Sequence, residues 1–312
     1  MSIESQLKKR VLVTGANGLL GQKLVGILRN DDSVEVIGTG KGASRLPESW
    51  DGSYVWQELD ITDRDQVMRV FSITKPDSVI HTAAMTQVDD CEKDRDGCRI
   101  LNVEAVRYLI EACREYKSHL IHLSTDFIFD GENGPYTEDA LPNPVNYYGE
   151  TKMEAENLLL ASDIRWAIVR TVLVYGIAQD MSRSNIILWV KKSLEEGKTI
   201  KVVNDQWRTP TLAEDLAEGC ILIMKIGATG IFNISGADFL TPYQMALQTA
   251  DFFGLDKTLI TESDSTLFTQ PAKRPPRTGF IIDKAKKELG YSPKSFLAGI
   301  GILAKQLKLA DS

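Results

Sequence analysis

The chain has 312 residues, 43% of them apolar, and carries 36 Lys and Arg against 43 Asp and Glu, for a net charge of −7. That length holds one large domain or two interlocked ones around a sizeable core. The acidic balance argues against a nucleic-acid polymer as partner, which needs clustered cations, and no apolar run reaches the roughly 18 residues needed to span a membrane.

The N-terminus, from Met1 to Arg10, is polar and lacks the apolar core of a signal peptide, which implies a cytoplasmic protein. Next, Val11-Leu12-Val13-Thr14 reads as a strand buried on both faces. A Gly15-x-x-Gly18-x-x-Gly21 turn and an amphipathic run from Gln22 to Arg29 follow. Gly15 permits a tight turn, Gly18 lets a pyrophosphate approach the backbone, and Gly21 lets the helix pack on the strand. The open N–H groups of the helix start, with Asn17, Leu19 and Leu20, would then face the phosphates. The alternative is a turn that serves only helix packing. The preceding strand and following helix favour a dinucleotide.

Further strands are expected over 35–39, 54–58, 78–82, 120–124, 166–170 and 230–234, beside the first at 10–14. Helical runs lie between them, over 64–73, 103–116, 151–161 and 212–225. This alternation predicts an α/β fold, a doubly wound parallel sheet with right-handed crossovers. The dinucleotide-binding part would comprise 1–173 and 202–235, and a smaller, discontinuous substrate lobe 174–201 and 236–312. Beyond Gly236 the pattern is helix-rich and irregular.

After the second strand, Lys41 and Arg45 stand where an NAD-preferring fold places a carboxylate. Both would suit a 2′-phosphate, so NADP(H) is expected ahead of NAD(H). The alternative leaves both as ordinary solvated charges. Asp60, with Ile61 after it, would cap the adenine; Asp60 or Thr62 would serve equally as a helix N-cap. The cysteines, Cys91, Cys98, Cys113 and Cys220, lack Cys-x-x-Cys spacing and read as free thiols.

The chemistry is expected around Ser124-Thr125-Asp126, ending the fifth strand, and Tyr148 and Lys152, which share a helix face at i and i+4. A free phenol has a pKa of about 10, too high for easy proton exchange at neutral pH. A nearby ammonium favours the phenolate. The alternative is an ordinary surface helix pair beside a strand-ending polar cluster.

These segments together resemble an extended short-chain dehydrogenase/reductase. More narrowly, Ser124-Thr125-Asp126-Phe127-Ile128-Phe129-Asp130-Gly131, Asn146-Tyr147-Tyr148-Gly149-Glu150-Thr151-Lys152 and Asn204-Asp205-Gln206-Trp207-Arg208-Thr209-Pro210-Thr211 are similar to the dTDP-4-dehydrorhamnose reductase family. The resemblance implies an NADPH-dependent reduction of the C4 ketone of a nucleotide-linked deoxysugar, dTDP-4-dehydro-L-rhamnose first among them, and a homodimer. It implies that Tyr148 donates the proton, Lys152 bonds the nicotinamide ribose, Thr125 bonds the reacting oxygen and Asp126 orients substrate hydroxyls. Ala83 and Ala84 would line the cofactor. Asn102 would support the active-site backbone, unless it is the N-cap of a helix starting near Val103. No residue pattern assigns a metal.

Two departures mark the chain. Arg208 stands where the family carries glycine, and Arg274-Pro275-Pro276-Arg277-Thr278 replaces an Arg-Pro-x-Asn-Ser stretch. In the wider superfamily an arginine seven residues before an aspartate, here Arg208 and Asp215, contacts a nucleotide-sugar diphosphate. Arg208, Arg274 and Arg277 are thus expected as diphosphate ligands; the alternative places the latter two as surface charges in a Pro-rich connector. A sugar-nucleotide 4,6-dehydratase is disfavoured, because Phe127 occupies its carboxylate position. A 4-epimerase uses the same Tyr and Lys and stays open. So does a regulatory NADP-binding subunit like methionine adenosyltransferase β.

Overall fold

The alternating apolar runs become seven parallel strands in the computed structural model: Lys9–Thr14, Val34–Gly40, Val55–Glu58, Ser78–His81, His119–Thr125, Trp166–Thr171 and Gly230–Asn233. Each lies within one residue of its expected bounds at either end. The structure describes residues 8–180, 184–267 and 270–310. Part of the expected N-terminal polar segment, residues 1–7, lies outside the described residues, as do 181–183, 268–269 and 311–312.

From edge to edge the strand order is seventh, sixth, fifth, fourth, first, second, third. Side chains alternate across the sheet, and the two faces are covered differently. Val11, Val13, Ile80, Ile121 and Val169 pack with Leu24, Val25, Leu216 and Ile223 of the helices Leu19–Leu28 and Ala213–Ile226. Leu12, Val79, Leu120 and Ile168 pack with Val67, Leu109 and Leu159 of Arg64–Thr74, Ala105–Tyr116 and Tyr147–Leu160. This is a doubly wound, Rossmann-type sheet. Its winding reverses between the first and fourth strands, which opens a crevice beyond Thr14 and His81.

Three local readings are corrected. Asp63 is the N-cap of Arg64–Thr74, accepting from Asp65 N and Gln66 N. Asp60 instead closes an Asx turn, its Oδ1 accepting from Thr62 N at 2.9 Å and Thr62 Oγ1 at 2.7 Å. Asn102 is not an N-cap, because a π turn, Ile100–Glu104, joins Arg95–Arg99 to Ala105–Tyr116 without leaving helical dihedrals. The helix bearing Tyr148 starts at Tyr147 rather than near 151, because Asn146 Oδ1 accepts from Gly149 N at 2.9 Å.

Among the described residues four short strands went unread, including Val174–Tyr175, which pairs in parallel with Thr211–Leu212. Ile200–Val203 pairs in parallel with Ile260–Ser263. Val190, Leu194, Ala246 and Ala250, from the helices Ile186–Glu195 and Pro242–Phe253, cover them. Four-residue strands with partial alternation give little periodic signal.

Candidate active site

The glycine turn is built as a cradle. Gly15 has φ +67°, and a Cβ there would lie 2.9 Å from Ala83 N. A Cβ on Gly21 would come within 2.3 Å of Gly15 O. Gly18 is the N-cap of Leu19–Leu28 and supplies no side-chain cap, so the first helical N–H groups have no side-chain acceptor at the cap. Leu19 sits against Gly176, while Leu20 packs on the core. Asn17 ties the turn to the loop after the second strand: its Nδ2 donates to Ala43 O at 3.1 Å and its Oδ1 accepts from Arg45 N at 2.7 Å. Gln22, which the sequence reading passed over, donates to Asn17 O at 3.2 Å and Gln179 O at 2.9 Å and accepts from Gln179 N.

At the far end of the crevice Lys41 Nζ lies 2.8 Å from Asp60 Oδ2. Burial pushes the Asp60 carboxyl up, but bonds from Lys41 and Thr62 hold it below its ordinary range. Ile61 is buried in the core. The Arg45 side chain is exposed. Lys41 and Arg45 therefore differ: the first already has a carboxylate.

Thr125, Asp126, Tyr148 and Lys152 come together at the C-terminal edge of the fifth strand. Thr125 Oγ1 donates to Asp126 Oδ1 at 3.1 Å and accepts from Phe127 N at 3.2 Å. Burial pushes the Tyr148 phenol well above its usual pKa, while a hydrogen bond with Thr125 pulls it down. The expected help from Lys152 takes another form here. Lys152 Nζ turns to Leu123 O at 2.6 Å and His122 Nε2 at 3.1 Å. Burial lowers this ammonium to about 8, against the favourable charge of Glu156.

Asn102 binds the backbone of Met85 twice, accepting from its N at 2.8 Å and donating to its O at 3.0 Å. It also donates to Thr151 Oγ1 at 3.2 Å, and Thr151 Oγ1 donates to Tyr148 O at 2.8 Å. The loop carrying Ala83 and Ala84 is thus fixed to the helix carrying the phenol.

The arginines separate into three environments. Arg208 is 5% exposed; it donates to the carbonyls of Trp207, Pro275 and Pro276, and its Nε lies 3.8 Å from Asp126 Oδ2. Asp215, which marks the superfamily spacing, pairs with Lys294 at 2.6 Å. Arg208 is an internal brace in this geometry, because its fork is filled by backbone oxygens. Arg274 is bidentate to Asp89, at 2.6 and 2.8 Å. Only Arg277 of the three is exposed: its guanidinium lies 5.7 Å from the Trp207 ring and 5.0 Å from that of Phe239, and its Nε donates to Gly134 O.

A cavity of about 500 Å³ adjoins this segment, lined in part by Asn185, Trp189, Lys201, Val203, Gln206 and Gln270. Sequence reasoning caught only the Gln206 end of it. Thr278, whose hydroxyl donates to Asp126 Oδ2, was also passed over.

A family model described as the RmlD substrate binding domain matches residues 9–309. The chain belongs to this family. A dTDP-4-keto-6-deoxy-D-glucose reductase of Streptomyces niveus is 33% identical, with 91% of this chain and 92% of that protein covered. Methionine adenosyltransferase 2 subunit beta of Xenopus tropicalis is 31% identical, over 79% of this chain and 73% of that one. Among solved structures, the dTDP-4-dehydrorhamnose reductase of Bacillus anthracis in complex with NADP superposes with a TM-score of 0.84 at 26% identity, covering 96% of this chain and 100% of that one. The relatives of this chain therefore include both reductases and a subunit of a different enzyme.

Proposed function

We propose that this protein is an NADPH-dependent oxidoreductase that reduces the C4 ketone of a nucleotide-linked deoxysugar, with dTDP-4-dehydro-L-rhamnose as the first candidate and dTDP-L-rhamnose as product. The observation that carries the reading is the gathering of Thr125, Tyr148 and Lys152 at the end of the fifth strand, with only the fourth strand between them and the strand that leads into the glycine cradle.

The cradle suits the cofactor, because its tight turn holds its shape only with glycine: a Cβ at Gly15 would meet Ala83 N and one at Gly21 would meet Gly15 O. Gly15, Asn17, Gly18 and Gly21 would hold its pyrophosphate, Arg45 with Lys41 its 2′-phosphate, and Asp60 its adenine. NADPH, when bound, supplies the hydride. Thr125 bonds the ketone oxygen and aims it at Tyr148. Tyr148 gives that oxygen its phenolic proton as negative charge develops there, a task worth roughly 10² to 10⁴ in rate. A neutral phenol is the form required of a donor, and burial keeps Tyr148 in that form. Lys152 then stabilises the phenolate left behind.

The substrate would lie between the sheet edge and a smaller lobe, 174–201 with 236–312. We read the protein as a cytoplasmic homodimer, which light scattering checks. Turnover of NADPH with dTDP-4-dehydro-L-rhamnose, compared with GDP- and UDP-linked keto sugars, tests the assignment. An epimerase would interconvert the sugars without net loss of NADPH. The similarity to a methionine adenosyltransferase subunit favours a second reading, a regulatory NADP-binding chain; stable co-purification with a synthetase and no turnover would support it.

A further inference from the structure

Of three buried histidines that this reaction leaves unused, His81, His119 and His122, two stand together beside the site. Thr14, His81 and His122 occupy matched positions on the first, fourth and fifth strands. Two residues earlier the same strands match Leu12, Val79 and Leu120. The row is therefore apolar in the core and polar next to the cofactor edge. His122 is 0% exposed and His81 2%. Thr14 Oγ1 lies 2.7 Å from His81 Nδ1, and the His81 ring stacks on His122 with centroids 5.3 Å apart.

Taking imidazoles out of water is costly unless they are paired. His122 Nδ1 has no partner among the described residues, so the ring bonds through Nε2, to Lys152 Nζ at 3.1 Å. An ammonium has only donors. Nε2 must then be the acceptor, and the ring must be neutral with its proton on Nδ1. A second proton would set two cations side by side in a buried site. Burial first, then Lys152 and His81, accordingly hold His122 well below its ordinary pKa.

We propose that His122 is a positioning residue acting through Lys152, its Nε2 and Leu123 O taking two of the three ammonium N–H bonds and leaving one for the cofactor ribose. This rests on the NADPH-binding part of the reading above. The charged and titratable groups facing Lys152 are His122 on the fifth strand, Glu156 one turn along its own helix and Cys98 on the Arg95–Arg99 helix; His81 faces His122 from the fourth strand. Glu156 cannot replace His122, since it accepts from Ser124 and from both Nε and Nη2 of Arg170. The stacked His81, held by Thr14, fixes the plane of the His122 ring.

The test is NADPH affinity as a function of pH, read by fluorescence titration, which needs no sugar substrate. Removing the acceptor in His122→Leu should raise the NADPH Kd roughly tenfold and move its alkaline limb down by about one pH unit, the scale of one charged hydrogen bond. His122→Gln returns an acceptor and should recover most of both. In Lys152→Met, adding His122→Leu should cost no further affinity. A ring that merely fills space would lower the melting temperature without moving the limb. A folded His122→Leu with the parent affinity and limb, or losses that add with Lys152→Met, overturns the proposal; His122→Met decides it should the leucine variant not fold. A parent that binds NADPH but reduces no keto sugar defeats the reaction reading alone. A parent that binds no NADPH defeats both.

Discussion

The hydroxyl of Thr278 donates to Asp126 Oδ2, although 152 positions separate the two residues. The bond joins the end of the fifth strand to the segment containing Arg274 and Arg277. On the same carboxylate oxygen, Arg208 Nε approaches to 3.8 Å. Burial pushes Asp126 up and Arg208 down in pKa, and each opposes the other's shift. The pair is a buried joint between the sheet and the loops that follow it.

Breaking that joint should cost stability before it costs chemistry. Asp126→Ala leaves the Arg208 guanidinium buried without its carboxylate, a loss of about 3–5 kcal/mol. Thr278→Val removes one bond to a charged group and should cost about 1.5–3 kcal/mol. Urea unfolding of the three proteins checks the order. Asp126→Ala as stable as the parent would show that the pair is not a structural brace.

Tyr148→Phe should lower kcat by roughly 10² to 10⁴ and leave NADPH affinity close to the parent value, because the hydroxyl lost is the proton donor. Steady-state rates and a fluorescence titration separate the two effects. A variant keeping most of the parent rate would remove Tyr148 from the mechanism.

Lys152 should leave a pH signature on stability. Its folded pKa, about 8, lies below that of the unfolded chain, so between the two the unfolded state binds more protons and stability rises with pH. The penalty of the buried ammonium is full below pH about 8 and relieved toward the ordinary lysine value of about 10.4. Lys152→Met should thus be more stable than the parent at neutral pH, with the advantage shrinking by on the order of 3 kcal/mol across that window. A constant difference would mean that Lys152 titrates normally.

The parts of this fold and site that were legible share one property: they repeat locally. A run such as Val11 to Val13 announces a strand because both faces of the sheet bury it. Gly15, Gly18 and Gly21 announce a cradle by spacing. What stayed hidden depends on residues far apart in sequence. Nothing near Arg208 shows that the carbonyls of Pro275 and Pro276 fill its fork, and nothing near Lys152 shows that His122 rather than Tyr148 holds its ammonium. Asn102 was legible as a backbone support only by resemblance. Its π turn has no sequence signal of its own.

Cofactor choice should rest more on Arg45 than on Lys41. Lys41 already faces Asp60, whereas no partner for the Arg45 guanidinium appears among the described residues. Arg45→Ala should weaken NADPH roughly tenfold while leaving NADH nearly unchanged, as expected for one charged contact to a phosphate. Lys41→Ala should show a smaller difference. Calorimetric titration with both cofactors decides it, and equal losses for the two would rule out a 2′-phosphate contact.

Arg277 is the strongest remaining candidate for the substrate diphosphate. Arg208 is spent on carbonyls and Asp126, and Arg274 on Asp89. Arg277 alone is exposed, pairs with no carboxylate among the described residues, and is held near Trp207 and Phe239. A stacked guanidinium is preorganised, so less side-chain entropy is lost when its fork meets a phosphate. The chain is acidic overall, with a net charge of −7, so attraction for two phosphate charges must come from local cations. One charged hydrogen bond contributes about 1.5–3 kcal/mol; Arg277→Ala should therefore raise KM roughly tenfold to a hundredfold, with a smaller change in kcat. Arg277→Lys keeps the charge but not the planar fork, and should fall between. Because the side chain is exposed, the melting temperature should hardly move in either variant, whereas Arg274→Ala should lower it by breaking the bidentate pair with Asp89. A folded Arg277→Ala enzyme with the parent KM would leave the diphosphate without an arginine from this segment.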